Sequence, residues 1–331
     1  MINMSNPKTI NALMKYLRDK KGIKISGASD KRKLMNIGYY HGYKGYRYIN
    51  KPYNQIKYTN FEELLAVYDF DMQLKALFYP YVMQIETALK NYVLEIIISE
   101  IKSESFTDIY SKILDNYKMF SPKKDKDKFK KEFKKLLDLR NRIYKIQTEA
   151  YSNNKKIVSH FINKNMQMPI WAIFELLTFG EFGHFVSCIN QRCRKLISQK
   201  MGIPSGYDTS GIMPQRLIYT LKDLRNAIAH NDVVFDTRFK TNQIDNQISN
   251  VISNITGIKN LTFQTITDYV ILIVYILKLI KSTKSDINRI IQKYTKIVEN
   301  FRAKIPISPF NQIIYTDNNI KIQSLKIYIM K

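Results

Sequence analysis

The chain has 331 residues, 45% of them hydrophobic, which is enough for one large domain or two modest ones around a substantial core. Its 53 Lys and Arg outnumber 28 Asp and Glu, a net charge of +25; such a field attracts polyanions, so nucleic acid heads the list of partners and an anionic membrane surface follows. The two cysteines, Cys188 and Cys193, cannot staple a protein of this size, which points to a reducing, cytoplasmic setting. Neither a signal peptide nor a bilayer span of ~20 apolar residues is legible.

Few glycines and prolines interrupt long stretches of helical period, and the expectation is an all-α fold. Residues 1–58 read as a small N-terminal element rich in Tyr and Gly. Within it, Met35 to Tyr48 holds three glycines and five tyrosines. There Tyr43, Lys44, Tyr46 and Arg47 combine rings that stack bases with cations that hold phosphates. The alternative is a Tyr-rich turn packed against the helical body. Residues 59–240 read as a helical core. Thr59 and Glu62 have capping-box spacing at its start, and Pro80 either kinks one long helix or opens a second one. After it, Val82, Ile85, Leu89, Val93 and Ile96 form an amphipathic stripe.

Residues 105–125 read as a connection. The lysine-rich run Lys123 to Lys135 follows, with Lys123, Lys124, Lys130, Lys131 and Lys134 as candidates for an RNA backbone track; a solvated helix face is the alternative. Pro169 opens a helix from Ile170 to Phe179, closed by Gly180, and Pro214 precedes a helix at about 215–230. Residues 241–331 read as a helical extension. One or two helices are expected between 264 and about 302, then an irregular or weakly extended stretch from Pro306 to Tyr328. The run Tyr269 to Leu277 is too short for a membrane and reads as a buried helix.

Acid–base chemistry has few candidates among four histidines. Phosphate-loop glycines, Gly-x-Ser-x-Gly, Cys-x-x-Cys and His-Glu-x-x-His are all missing. His184, Cys188 and Cys193 lack a credible fourth ligand, so neither a metal nor a cofactor is expected. His230 is better placed. Leu217, Leu221, Leu224 and Ile228 cluster within about 60° on a helix, and His230 falls about 150° from that stripe with Asn226 one turn before it. Arg225 flanks the stripe, about 140° from His230. A histidine can move protons between a ribose 2′-hydroxyl, a phosphate and a leaving 5′-oxygen, while an arginine fork meets phosphate oxygens as charge develops. Arg-x-x-x-x-His alone is a weak motif.

Leu224-Arg225-Asn226-Ala227-Ile228-Ala229-His230-Asn231 resembles the Arg-Asn-x-x-Ala-His element of abortive-infection proteins of the AbiD/AbiF type, a branch of the HEPN superfamily. Three further blocks are similar in the same order. They are Asn36 to Tyr46 with its glycines and aromatics, Tyr68-Asp69-Phe70-Asp71 followed by Ile85-Glu86, and Met168-Pro169-Ile170-Trp171 followed by Glu175 to Gly180. The resemblance implies a HEPN-like helical bundle, often paired so that two Arg/His elements share one site. It also implies metal-independent RNA cleavage through 2′-hydroxyl attack, used against infected cells and in related systems controlled by a structured small RNA. On this resemblance Arg225 would stabilise the phosphate, His230 transfer protons, Asn226 orient one of them and Glu86 pair with Arg225. A non-catalytic RNA-binding protein that grips a small RNA is the competing expectation, and peripheral membrane association is a weaker one. Arg140-Asn141 repeats the dipeptide without a histidine and reads as surface.

Overall fold

A computed structural model describes residues 9–330, so the first eight residues of the expected N-terminal element lie outside it. Among the described residues the fold is all-α, with fifteen α-helices and only isolated β-bridges. Its axis is α3 (Phe61–Ile101), 41 residues without a break and so about 60 Å long. Pro80 lies inside this helix. It removes the amide that would bond the Ala76 carbonyl, but Ala76 and Pro80 both lie on the exposed face, where the freed carbonyl is not stranded in the core. The start of α3 is capped one residue later than the spacing suggested. Asn60 Oδ1 accepts from the Glu63 amide at 3.0 Å, and Glu63 accepts in return from the Thr59 amide at 2.7 Å. Glu62 instead points outward to Lys33, at 2.6 Å.

Before α3 come α1 (Ile10–Lys21), α2 (Gly27–Tyr39) and a π turn at Tyr40–Lys44. Gly38 breaks α2 with φ +70°, a left-handed conformation that glycine adopts without a Cβ clash. After α3, the expected connection at 105–125 is partly helical instead. It contains α4 (Phe106–Lys112) and a 3₁₀ turn at Asn116–Met119, whose Phe106, Ile109 and Asn116 are buried. The lysine run begins α5 (Lys126–Ser152), followed by α6 (Lys156–Ile162) and α7 (Ile170–Leu176). Gly180 does not close α7. It sits in the first turn of α8 (Phe179–Cys188), which opens on a capping box between Thr178 and Glu181. The local Thr-x-x-Glu signal outweighs the helix-breaking tendency of one glycine.

Then come α9 (Gln191–Lys200) and α10 (Met213–Ala229), the latter with Pro214 inside its first turn rather than before it. The extension consists of α11 (Asn246–Thr256), α12 (Ile266–Leu279), α13 (Lys284–Arg302), α14 (Ile307–Ile314) and α15 (Asn318–Met330). The stretch Pro306 to Tyr328 is therefore helical, not irregular. Ile313, Ile314, Ile322 and Leu325 are buried there, so tertiary packing stabilises two short helices that local pattern does not announce. Every residue from Ile266 to Leu277 is buried, yet no helix among the described residues is long and apolar enough to cross a membrane.

One continuous apolar core runs through the N-terminal element, the middle helices and the extension. The extension packs along α3, where Phe70 stacks on Phe301 with ring centroids 4.4 Å apart, an arrangement worth about 0.5–1.5 kcal/mol beyond its buried area. In the extension a buried ion pair, Lys321 to Asp268 at 2.8 Å, ties α15 to α12.

Candidate functional site

The site is built on α10, which is fixed at both ends and in the middle. At its start, Asp208 accepts from the amides of Ile212 and Met213 at 2.8 and 3.0 Å and from the Ser198 hydroxyl at 2.7 Å. Gly211 makes this approach possible. Its φ is +71° and a Cβ there would lie 2.4 Å from the Lys195 backbone nitrogen. Midway, Leu217, Leu221 and Leu224 are wholly buried, each contributing roughly 1.5–3 kcal/mol.

The C-terminus of α10 is a Schellman turn. The Asp232 amide donates to the Ala227 carbonyl at 2.8 Å and the Asn231 amide to that of Ile228 at 3.3 Å. Asn231 adopts the left-handed conformation, φ 57°, which asparagine tolerates better than most residues. His230 is the capping residue between helix and turn.

This turn is clasped from α3. Lys75 Nζ donates to Asn231 Oδ1 at 2.9 Å and lies 2.8 Å from the fully buried Asp71 carboxylate. Asp71 also accepts from the amides of Val234 and Phe235, both at 2.7 Å, and from the Tyr46 hydroxyl at 2.8 Å. One buried carboxylate thus fixes the chain just after His230 to both α3 and the N-terminal element. Farther on, Arg238 pairs with Asp236 at 2.7 Å and donates to the Gly45 carbonyl at 2.8 Å. Apart from Tyr46, expected in another role, none of these partners stands out in the sequence. Asp71 lies inside one of the resembling blocks, and that is the only signal for it.

His230 and Asn226 are exposed, as the helix geometry required. The His230 side chain has no hydrogen-bond partner among the described residues. Arg225 is half-buried. Its Nε donates to Glu86 Oε2 at 3.0 Å and its Nη1 to Asn226 Oδ1 at 3.5 Å. Glu86 also pairs with Lys90 at 3.2 Å, and Lys90 donates to the Leu177 carbonyl at 2.9 Å. Arg225, Glu86 and Lys90 line an open cleft of about 330 Å³ between α3, α10 and the α7–α8 junction. Arg225 and Asn226 are thus brought together, whereas no hydrogen bond links Arg225 to His230. An arginine fork on one side of the helix end and a solvent-facing imidazole on the other can serve phosphate contact and proton transfer.

The remaining candidates separate into two groups. Lys123 and Lys124 are exposed in the turn before α5, and Lys130, Lys131 and Lys134 are exposed along its start. Lys44 is exposed with its ammonium 5.3 Å from the Tyr39 ring centre, and Arg47 is half-buried over Tyr48 at 5.8 Å. Tyr43 and Tyr46, by contrast, are buried, with relative exposures of 5% and 0%. Tyr46 stacks on Phe235 and Tyr43 on Tyr39, so neither offers a free face to a base. His184 is half-buried against α5, and its Nε2 donates to the Lys135 carbonyl at 3.0 Å. Cys188 and Cys193 are buried, and desolvation pushes their thiols up to about 12 and about 11. They are packing groups. Among the described residues no cluster of His, Cys, Asp and Glu could hold a metal ion.

The architecture defines a class: an all-α protein that presents an Arg-Asn pair and a histidine at the end of one braced helix. Residues 32–236 match the family model of the Abi-like proteins, so the chain belongs to that abortive-infection family, which suggests a role in phage defence. The match covers the aromatic-glycine element, α3 and all of α10. No curated protein and no solved structure matches the chain.

Proposed function

We propose that this protein is a HEPN-type endoribonuclease of phage defence that cleaves RNA without a metal. In this reading the ribose 2′-hydroxyl attacks the neighbouring phosphorus and the 5′-oxygen leaves. Arg225 meets the phosphate oxygens as charge builds, His230 carries the proton, and Asn226 holds Arg225 and orients one of these groups. The observation that carries the reading is the placement of His230. It is an unpartnered, exposed imidazole on a turn held by a Schellman pair and by Lys75. A surface histidine without a role needs no such bracing. Family membership and the net charge of +25 support it independently.

Glu86 holds Arg225 on the flank of α10, and no hydrogen bond links it to His230. Two copies meeting at their α10 ends would let arginine and histidine from different chains converge, an isologous arrangement. Control by a structured small RNA is part of the same proposal, and the exposed lysines of α5 supply a backbone track for it or for the substrate. Purified protein should cut RNA in excess EDTA, and Arg225→Ala or His230→Ala should stop it. Equal cleavage by both variants would remove the assignment.

The separation of Arg225 from His230 also favours a second reading, a non-catalytic protein that grips a small RNA. It predicts salt-sensitive RNA binding with no cleavage under any condition.

A further inference from the structure

A depression of about 790 Å³ lies between the N-terminal element, the segment after α10 and the start of α11. Its walls include Lys51, Gln243, Asn246, Ser249, Asn250 and Gln264, and no carboxylate lines it. The side chains of these six residues make no hydrogen bond to another described residue, so their donors and acceptors face the basin unspent. Lys240 also lines it; burial lowers its pKa, which an anion in the basin would oppose.

The composition of α11 is informative. Ile248, Val251 and Ile252 are buried and hold the helix in place, while Asn246, Gln247 and Asn250 are exposed. Asn and Ser are poorer helix formers than the Lys, Glu and Arg that usually cover a solvated face. Helix stability therefore does not account for an uncharged amide face. On that face Asn246 and Asn250 keep their side-chain hydrogen-bonding capacity free. The face is also tied to the start of α10. Asp245 caps α11 by accepting from the Gln247 amide at 2.8 Å and pairs with Arg216 of α10 at 2.9 Å. A second depression, about 320 Å³, is lined by Asn226 and Asp232, and the two share Arg238 and Thr241 in their walls. The surface thus leads from Asn226, past the carboxylates of Asp223 and Asp232, to the amides.

We infer that the basin holds an unpaired RNA nucleotide flanking the one held at the Arg225–Asn226 pair, and that Gln243, Asn246 and Asn250 read its base. A side-chain amide presents a donor and an acceptor side by side, the pattern that matches the edge of an unpaired base. Lys51 and Lys240 supply the counter-charge for its phosphate. This inference rests on RNA being the partner proposed above. It places base selectivity outside the residues matched by the family model, mainly on 240–264.

The test measures binding, so that it does not depend on cleavage. His230→Ala protein is titrated with fluorescent single-stranded octamers of adenylate, cytidylate or uridylate at fixed salt. One octamer should bind at least about fivefold more tightly than the weakest, and adding Asn246→Ala with Asn250→Ala should bring the three within about twofold. Adding Lys130→Ala with Lys131→Ala should instead weaken all three alike. Asn246 and Asn250 are exposed and unbonded, so the double variant folds. Equal binding of the three octamers by the parent, or a preference that survives loss of both asparagines, overturns the inference. Base preference in a protein whose native form never cleaves would overturn the nuclease reading alone; cleavage without base preference would overturn the basin alone.

Discussion

Glu86 holds Arg225: its Oε2 accepts from the guanidinium Nε at 3.0 Å while its Oε1 faces Lys90 at 3.2 Å. The arginine at the site is therefore aimed by a carboxylate on another helix. Glu86→Gln keeps the shape and removes the charge. RNA cleavage should fall about tenfold or more, equivalent to about 1.4 kcal/mol in the rate-limiting interaction. Stability should drop by only about 1–2 kcal/mol, because Lys90 keeps its bond to Leu177 and Arg225 can turn to solvent. Thermal unfolding and cleavage assays on the same preparation separate the two effects.

Lys75 bridges buried Asp71 and the turn at Asn231. Lys75→Met leaves the Asp71 charge without its counter-ion and should cost about 3–5 kcal/mol. Asn231→Gly keeps the left-handed turn and removes only the hydrogen bond at Oδ1, so it should stay within about 1 kcal/mol of the parent. Asn231→Ala, with a Cβ in that conformation, should cost about 1–2 kcal/mol more than the glycine variant. Denaturant unfolding of the three variants checks the order.

These two clasps mark the limit of what the sequence discloses. The period of 3.6 residues is enough to place Leu217, Leu221 and Leu224 inside and His230 and Asn226 outside, because a helix fixes side-chain direction without reference to the rest of the fold. The pairing of Glu86 with Arg225 is legible from the resemblance alone. Asp71 is not legible as a buried hub, since a carboxylate on a helix looks the same in sequence whether it faces water or two amides, a hydroxyl and an ammonium. The shift of the cap from Thr59 to Asn60, the entry of Gly180 into α8, and the helices α14 and α15 also depart from the expected elements. The helices α14 and α15 are decided by packing partners beyond the reach of the local pattern, whereas the cap and Gly180 turn on a choice between competing local signals, Asn60-x-x-Glu63 over Thr59-x-x-Glu62 and Thr178-x-x-Glu181 over the glycine stop. Aromatic rings beside cations at Tyr43 and Tyr46 satisfy the pattern of a base-stacking surface and of a packed turn equally. Burial alone separates those readings.

Acid should destabilise the protein partly through His184. Burial lowers its pKa below the ordinary 6.5, and the Lys135 carbonyl opposes this only in part. Burial lowers that of His41 as well, reinforced by Lys75. Between the depressed folded value and 6.5 the unfolded chain binds more protons than the folded one, so stability rises with pH there and is lost as pH falls. His184→Gln can still donate to the Lys135 carbonyl and does not titrate. Its unfolding free energy should fall less steeply than the parent's as pH drops from 7 to 5, with His41 supplying part of the remaining slope. An unchanged slope would show that His184 is protonated equally well in the folded protein.

The lysines at the start of α5 are exposed and should act on affinity without acting on stability. Lys130→Ala, Lys131→Ala and Lys134→Ala together should leave the melting temperature unchanged. The slope of log affinity for single-stranded RNA against log salt should become shallower by about 2, at about 0.7 for each phosphate no longer neutralised. Fluorescence anisotropy across a salt series provides the measurement; an unaltered slope would mean that α5 carries a solvated face and no RNA.

The chemistry assigned to His230 is tested most directly by the ends of the RNA fragments. Protein incubated with RNA in EDTA should leave 2′,3′-cyclic phosphate and 5′-hydroxyl ends, and His230→Ala protein at the same concentration should leave none. Fragments carrying 5′-phosphates, or the same cyclic ends from the His230→Ala variant, would contradict the account.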